Sequence, residues 1–193
     1  DTKPFIYGKK VKIVCGVIDS LPFLPDQPRQ GAELLLDTLT PMQWLIQEKI
    51  DGWRCLVHVV PDGHGNGRVE SFSRHAKRLD VPLKIQAQLL RGPCEVWLDC
   101  ELTGKRPANR VPDNRKAPQL VILDVLFDCD VNCKGENAQG HWLRNEAVEL
   151  RYVRAQAMAA LTGLPVVRTG TVAYREFYES TKLTPDLCEG VVL

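Results

Sequence analysis

The residues with the clearest capacity for chemistry run from Gln47 to Arg54, reading Gln-Glu-Lys-Ile-Asp-Gly-Trp-Arg. A lysine amine attacks only as the free base, and a crowded site with other cations and partial shielding from water favours that form. Asp51 can order the amine or a cation, Gly52 lets the backbone turn and approach a ligand, and Arg54 can grip a planar acceptor or a phosphate. Apolar runs on either side, Trp44 to Ile46 and Leu56 to Val60, place the group at a bend between two strands. The alternative is an ordinary Asp-Gly hairpin with two solvated cations. Four specified residue types at fixed spacing arise by chance in roughly one chain in a thousand of this size, which favours function.

The elements that must position this group follow in order. A strand from Trp53 to Val60 runs into Pro61-Asp62-Gly63-His64-Gly65-Asn66-Gly67, read as a hairpin turn because no helix follows the glycines to cradle a phosphate. The return strand Arg68 to Phe72 ends in the basic cluster Ser73 to Arg78, which is either a solvated loop or a phosphate contact. Pro82 to Leu90 reads as a helix with Leu83, Ala87 and Leu90 on its apolar face. In the next strand, Glu95 to Leu102, period-2 alternation puts Val96, Leu98, Cys100 and Leu102 on one face and Trp97, Asp99 and Glu101 on the other. The two carboxylates fit plain solvent exposure, a cleft in which Glu101 accepts from ribose hydroxyls, or a divalent-cation site. Residues 103 to 118 carry Lys105, Arg106, Arg110, Arg115 and Lys116, a solvated loop or a basic arm. The strand Leu120 to Phe127 is interrupted by Asp124, which requires a partner if buried. Trp142 to Leu161 reads as a long helix with Leu143, Ala147, Leu150, Ala157 and Leu161 toward the core. Pro165 to Val167 reads as a short strand and Tyr174 to Lys182 as a short helix, before Glu189-Gly190 leads into the apolar residues Val191 to Leu193.

Composition bounds the rest. The 193 residues, 44% hydrophobic and 25% charged, suit one globular domain with its own core. A formal net charge of +1 excludes a globally basic protein, so nucleic-acid contact has to come from local patches. No apolar run approaches the roughly 18 residues of a membrane span, and the start, Asp-Thr-Lys-Pro, shows no signal-peptide pattern. Seven cysteines, mostly inside apolar runs, read as reduced thiols of a cytoplasmic or nuclear compartment rather than a secreted one. Cys129, Cys133 and His141 are a weak metal candidate without a Cys-x-x-Cys pair. Before the Lys49 stretch, Val11 to Val17 alternates as a strand, Leu21 to Gln30 is proline-rich, and Gly31 to Leu39 suits a short helix.

Taken in order, these motifs resemble those of the covalent nucleotidyltransferases: the ATP-dependent DNA and RNA ligases and the GTP-dependent mRNA capping enzymes. Lys49-x-Asp51-Gly52-x-Arg54 looks like motif I, Ser73-Arg74 like the short motif after it, and Asp99-x-Glu101 like motif III. Leu123-Asp124 is similar to motif IIIa, with leucine where many members have an aromatic, and Glu189-Gly190-Val191-Val192-Leu193 is similar to motif IV. The spacing of the later motifs looks closest to the DNA ligases. The resemblance implies an α+β fold of antiparallel sheets with flanking helices and the nucleotide in a cleft between sheets. It implies that Lys49 forms a lysyl-AMP from ATP, with Gln47, Glu48, Arg54, Arg74, Glu101 and Leu123 around the nucleotide. Glu189 and Asp99 would serve Mg²⁺ or Mn²⁺, with Asp51, Gly52 and Asp124 in support. The implied partner of a monomer, with no membrane, is nicked DNA, alternatively RNA. Residues 1–40 are then expected to be a structural lead-in and 41–193 an adenylation domain cut after motif IV. The polypeptide is expected to continue into the motif V lysines and an oligonucleotide-binding barrel.

Overall fold

The computed structural model describes residues 13–14, 17–18, 36–104, 117–129, 140–183 and 188–193. The proline-rich stretch, residues 31–35 of the expected early helix, the basic residues from Lys105 to Lys116, and Cys133 lie outside the described residues. The strand expected over Val11 to Val17 is seen as two short paired pieces, β1 (Ile13–Val14) and β2 (Val17–Ile18).

Two antiparallel sheets carry the rest. The larger has five strands: β4 (Trp53–Pro61), β5 (Gly67–Ser73), β6 (Val96–Leu102), β7 (Leu120–Cys129) and β8 (Gly140–Trp142), in the order β5-β4-β6-β7-β8. The smaller places β3 (Ile46–Ile50) between β10 (Cys188–Val192) and β9 (Thr169–Gly170). The helices are α1 (Leu83–Leu89), α2 (Val148–Thr162) and α3 (Tyr174–Thr181). The fold is α+β, as expected. No helix among the described residues is long and apolar enough to cross a membrane.

Alternation along β4 and β6 sorts the larger sheet into a dry face and an opposite face that carries the charged residues. Cys55, Val57 and Val59 of β4 and Val96, Leu98, Cys100 and Leu102 of β6 are all fully buried, together with Leu120, Ile122 and Val125 of β7. Ile85 and Leu89 of α1, and Ala155 and Met158 of α2, close this core. The opposite face bears Leu56, Phe72 and Trp97, with His58 stacked on Trp97 at a centroid distance of 4.4 Å. Two β-bulges interrupt the β6–β7 ladder: Cys100 faces Ile122 but Asp99 faces Asp124, so Leu123 is extra, and Leu126 is extra in the same way. The loop from Pro61 to Gly67 is a hairpin, closed by the Asp62 carboxylate, which accepts from the backbone N–H groups of His64 (2.9 Å) and Asn66 (3.0 Å).

Both expected helix faces are corrected. On α1 the buried residues are Ile85 and Leu89, with Leu90 of the expected face half-buried against the same core, while Leu83 and Ala87 are exposed. On α2 they are Ala155, Met158 and Thr162, while Leu150, Val153, Ala157 and Leu161 face outward. The α2 sequence carries small or apolar residues on more than one face, and contacts to β7 and the segment after it set the rotation. Arg151 reaches Asp124 (2.8 Å), Arg154 reaches Asp128 (3.1 Å), and Tyr152 donates to the Val167 carbonyl (3.0 Å). The helix also starts later than its pattern suggests. Trp142 belongs to β8, packing on Phe127 and Trp97, and Leu143 is buried in the core through a single 3-10 turn. Gly163 ends α2 in the left-handed conformation, φ 71°. In place of the expected strand from Pro165 to Val167 there is one parallel bridge from Val166 to Ile122.

This orientation predicts opposite outcomes for two substitutions on α2. Met158→Ala should cost about 2–4 kcal/mol in urea unfolding, whereas Leu150→Gln should stay within about 0.5 kcal/mol. Equal losses would place the buried face elsewhere.

Candidate active site

The Asp51-Gly52 bend is a corner between sheets, not a hairpin. β3 ends at Ile50 in the smaller sheet and β4 begins at Trp53 in the larger, so the two strands of the motif do not pair with each other. A Cβ on Gly52 would lie 2.7 Å from the Leu102 carbonyl oxygen and 2.9 Å from Cγ of Glu101. Only glycine lets the corner sit against the end of β6. The corner brings Lys49 and Arg54 to one cleft from two different sheets.

That cleft has a volume of about 780 Å³. Gln47, Glu48 and Lys49 line it from β3, Arg54 from β4, Asp99 and Glu101 from β6, and Leu123 and Asp124 from the bulged part of β7. Arg74 enters from the turn after β5, beside Ser73, His75 and Lys77. This turn is held by the Ser73 N–H donating to the Lys77 carbonyl (2.7 Å), with Ala76 at a positive φ of 58°. Gly52 also borders the cleft; Asp51 is placed at its corner but is not among the lining residues. Glu189 stands in β10 at an irregularity opposite the Ile50–Lys49 step, and its side chain lies outside what is described, as do those of Cys129 and His141.

The floor of the cleft is a row of paired charges. Arg54 donates through Nε and Nη2 to the two carboxylate oxygens of Asp99, a bidentate pair. Asp99, expected beside a cation, thus has both oxygens occupied by a guanidinium in this arrangement. Asp124 accepts from Arg151 of α2 and from the Val125 N–H (2.8 Å). Glu48, expected at the nucleotide, pairs through its carboxylate with Arg168 (2.8 Å), which stacks on Phe177 at 4.4 Å. Among the described residues no group of three or more His, Cys, Asp or Glu is arranged to hold a metal ion.

Burial dominates the titration of this floor. It pushes the Glu101 carboxyl from 4.5 to about 7, opposed by Arg54 and reinforced by Asp99. It pushes Asp124 from 3.8 to about 6, with Arg151 opposing. For Arg54 burial works to lower the pKa, but the charges of Asp99, Glu101 and Asp124 outweigh it and hold the guanidinium above its usual value. Glu101 is therefore a carboxyl poised near neutrality within reach of Arg54, able to accept from or donate to a hydroxyl.

Arg151 is not singled out by the sequence, where it is one of several charged residues in α2. The available signal was the lone Asp124 in an apolar strand, which demanded a cation from elsewhere. Trp53, His75 and Lys77 also line the cleft; of these, His75 and Lys77 belong to the basic cluster read from the sequence as a solvated loop or a phosphate contact.

No protein-family model and no curated protein matches the chain. Among solved structures it is similar to one called "Pmar-Lig_Pre.", at 20% identity over 76% of this chain and 37% of that one, TM-score 0.48. It is also similar to one described as "DNA binding with a minimal scaffold: Structure-function analysis of Lig E DNA ligases", at 16% identity over 87% of this chain and 61% of that one, TM-score 0.49. A third, "Pmar-Lig_PreS3", matches at 20% identity over 76% of this chain and 37% of that one, TM-score 0.41. The chain spans less than two thirds of each of these structures. Likeness this distant says nothing of chemistry; the side chains around Lys49 do.

Two predictions follow from the floor. The folded chain binds more protons than the unfolded one while Glu101 and Asp124 remain protonated above their ordinary values, so stability should fall as pH rises from about 5 to 7. Urea unfolding of the wild type should lose roughly 2–4 kcal/mol between pH 5 and pH 8, and Glu101→Gln should lose clearly less. A wild type equally stable at both values would contradict the raised carboxyls. Gly52→Ala should destabilise by about 1–3 kcal/mol, since its new methyl meets a backbone oxygen. Unchanged unfolding would show that the corner can open.

Proposed function

We propose that this chain is the nucleotide-transferring part of an ATP-dependent DNA ligase, with Lys49 as the nucleophile. The observation that carries the reading is the cleft itself: Lys49 and Gln47 from one sheet face Arg54, Glu101 and Asp124 from the other. On this reading the Lys49 amine, as its free base, attacks the α-phosphorus of ATP; an N–P bond forms, the bond to the bridging oxygen breaks, pyrophosphate leaves with that electron pair, and the nitrogen gives up one proton to solvent. Gln47 faces the adenine, Arg54 and Glu101 hold the ribose hydroxyls, and Arg74 with Lys77 meets phosphates of nucleotide or nucleic acid. The bidentate hold of Asp99 fixes the Arg54 fork before the substrate arrives, so its orientation costs nothing at binding. AMP would then pass to a 5′-phosphate and be displaced by a 3′-hydroxyl.

A divalent ion suits this chemistry in one form. The described residues offer no all-protein cage, whereas Mg²⁺ is commonly held by one or two carboxylates plus substrate phosphates. Glu189 on β10 is the residue that would meet it, and bound Mg²⁺ supplies charge neutralisation on the triphosphate.

Full-length protein incubated with Mg²⁺ and ATP labelled in the α-phosphate should become covalently labelled, and Lys49→Ala should abolish the label. Sealing of nicked duplex DNA in preference to nicked or single-stranded RNA should follow. Labelling by GTP alone would move the assignment to capping, and an intact protein that takes no label would overturn the reading.

A further inference from the structure

The charged floor of the cleft does not end at its wall. Asp99 and Asp124 are direct partners across the β6–β7 ladder, so two carboxylates face the same space from adjacent strands. Such like-charged neighbours repel unless each has its own counter-charge. Asp99 has Arg54. Asp124 has Arg151, which arrives from α2 and contributes nothing to the cleft lining itself. The Nε of Arg151 is buried and finds no partner among the described residues, so the ion pair with Asp124 is what anchors the guanidinium. The four groups sense one another in sequence: Arg151 acts on Asp99, and Asp124 acts on Arg54.

We propose that Arg151 is a positioning residue for Arg54, acting by neutralising Asp124 so that Asp99 can give both of its oxygens to the Arg54 fork. Without Arg151, at a pH high enough to keep the Asp124 carboxyl ionised, Asp124 becomes a second, unpaired acceptor beside the same guanidinium. Arg54 is then drawn between two carboxylates, and its bidentate hold on Asp99, which orients the guanidinium in the cleft, is lost. The inference deepens the proposed function and rests on it for the meaning of Arg54, but the ion-pair array can be read without any substrate.

The test uses full-length wild type, Arg151→Met, Arg151→Lys, Asp124→Asn and the double variant Arg151→Met/Asp124→Asn. The first readout is solvent exchange of the Arg54 Nε–H resonance in NMR, which needs no activity. It should be slow in the wild type, faster in Arg151→Met, and no faster in the double variant than in Asp124→Asn alone. The second is lysine labelling at varied ATP concentration. Arg151→Met should raise the apparent KM for ATP about tenfold with kcat much less affected, Arg151→Lys should recover part of this, and Arg151→Met should add nothing in the Asp124→Asn background. Unchanged Arg54 exchange in Arg151→Met overturns the proposal. So does an equal loss from Arg151→Met with Asp124 present or absent, because that is the behaviour of a helix residue that only stabilises packing. Should Arg151→Met fail to fold, Arg151→Lys against wild type carries the comparison with Asp124 present: a partial loss of Arg54 protection is expected, and unchanged exchange overturns the proposal. A wild type that takes no label but shows the expected exchange pattern would remove the proposed function and leave the array standing.

Discussion

The bidentate pair between Arg54 and Asp99 is the interaction on which the cleft depends. It sits on a sheet whose reverse face, one residue away along each strand, is fully buried core: Cys55 follows Arg54, and Cys100 follows Asp99. Charges this close to a dry interior are tolerated only when neutralised in place and supplied with hydrogen bonds. Asp99 is itself buried, so removing Arg54 would strand a carboxylate, and removing Asp99 would free the fork to wander. The pair is better understood as fixing geometry than as adding stability, since buried ion pairs often do no more than offset their own desolvation.

The corner at Gly52 turns that fixed geometry into a site. A hairpin would have placed Lys49 and Arg54 on neighbouring strands of one sheet. Passing the chain between sheets puts them on separate sheets bordering one cleft, with Glu101 immediately beside the corner. Each residue is paired across one side of its strand, Lys49 with Gly190 of β10 and Arg54 with Glu101 of β6. Lys49 sits in a central strand held by β9 and β10, and Arg54 in a central strand held by β5 and β6.

Legibility followed how local each constraint was. The alternation of β6 was readable because both of its faces are strongly specified, apolar against Trp97, Asp99 and Glu101, and the structure keeps that division. The residues that the resemblance implies around Lys49 mostly line the cleft. The helix faces were not. In α2 leucine, valine and alanine occur all round, and the choice between faces is made by partners on β7 distant in sequence, Asp124 and Asp128. The bulges of β7 were equally hidden, because the run from Leu120 to Phe127, apolar at every position but Asp124, has no period to break. The corner at Asp51-Gly52 carried the same dipeptide as a hairpin and differs only in which strands each side finds as partners.

The bulge at Leu123 bears on how a nucleotide would be recognised. By placing one extra residue opposite the Asp99–Cys100 step, it lets both Leu123 and Asp124 line the cleft, where strict alternation would have sent one of them to the core. The wall residue is aliphatic. On the proposed reading, a base lying against Leu123 gains contact area but not the stacking that an aromatic ring provides. Discrimination between bases then falls to hydrogen bonding from Gln47, and discrimination of the sugar to Arg54 and Glu101. Gln47 is well suited to this, because an amide offers both a donor and an acceptor and lies on β3 between strands that hold its backbone from both sides. On the proposed reading the fixed fork of Arg54 would matter more than in a site with an aromatic wall: with less stacking to hold a nucleoside, its orientation would have to come from the polar groups on the floor.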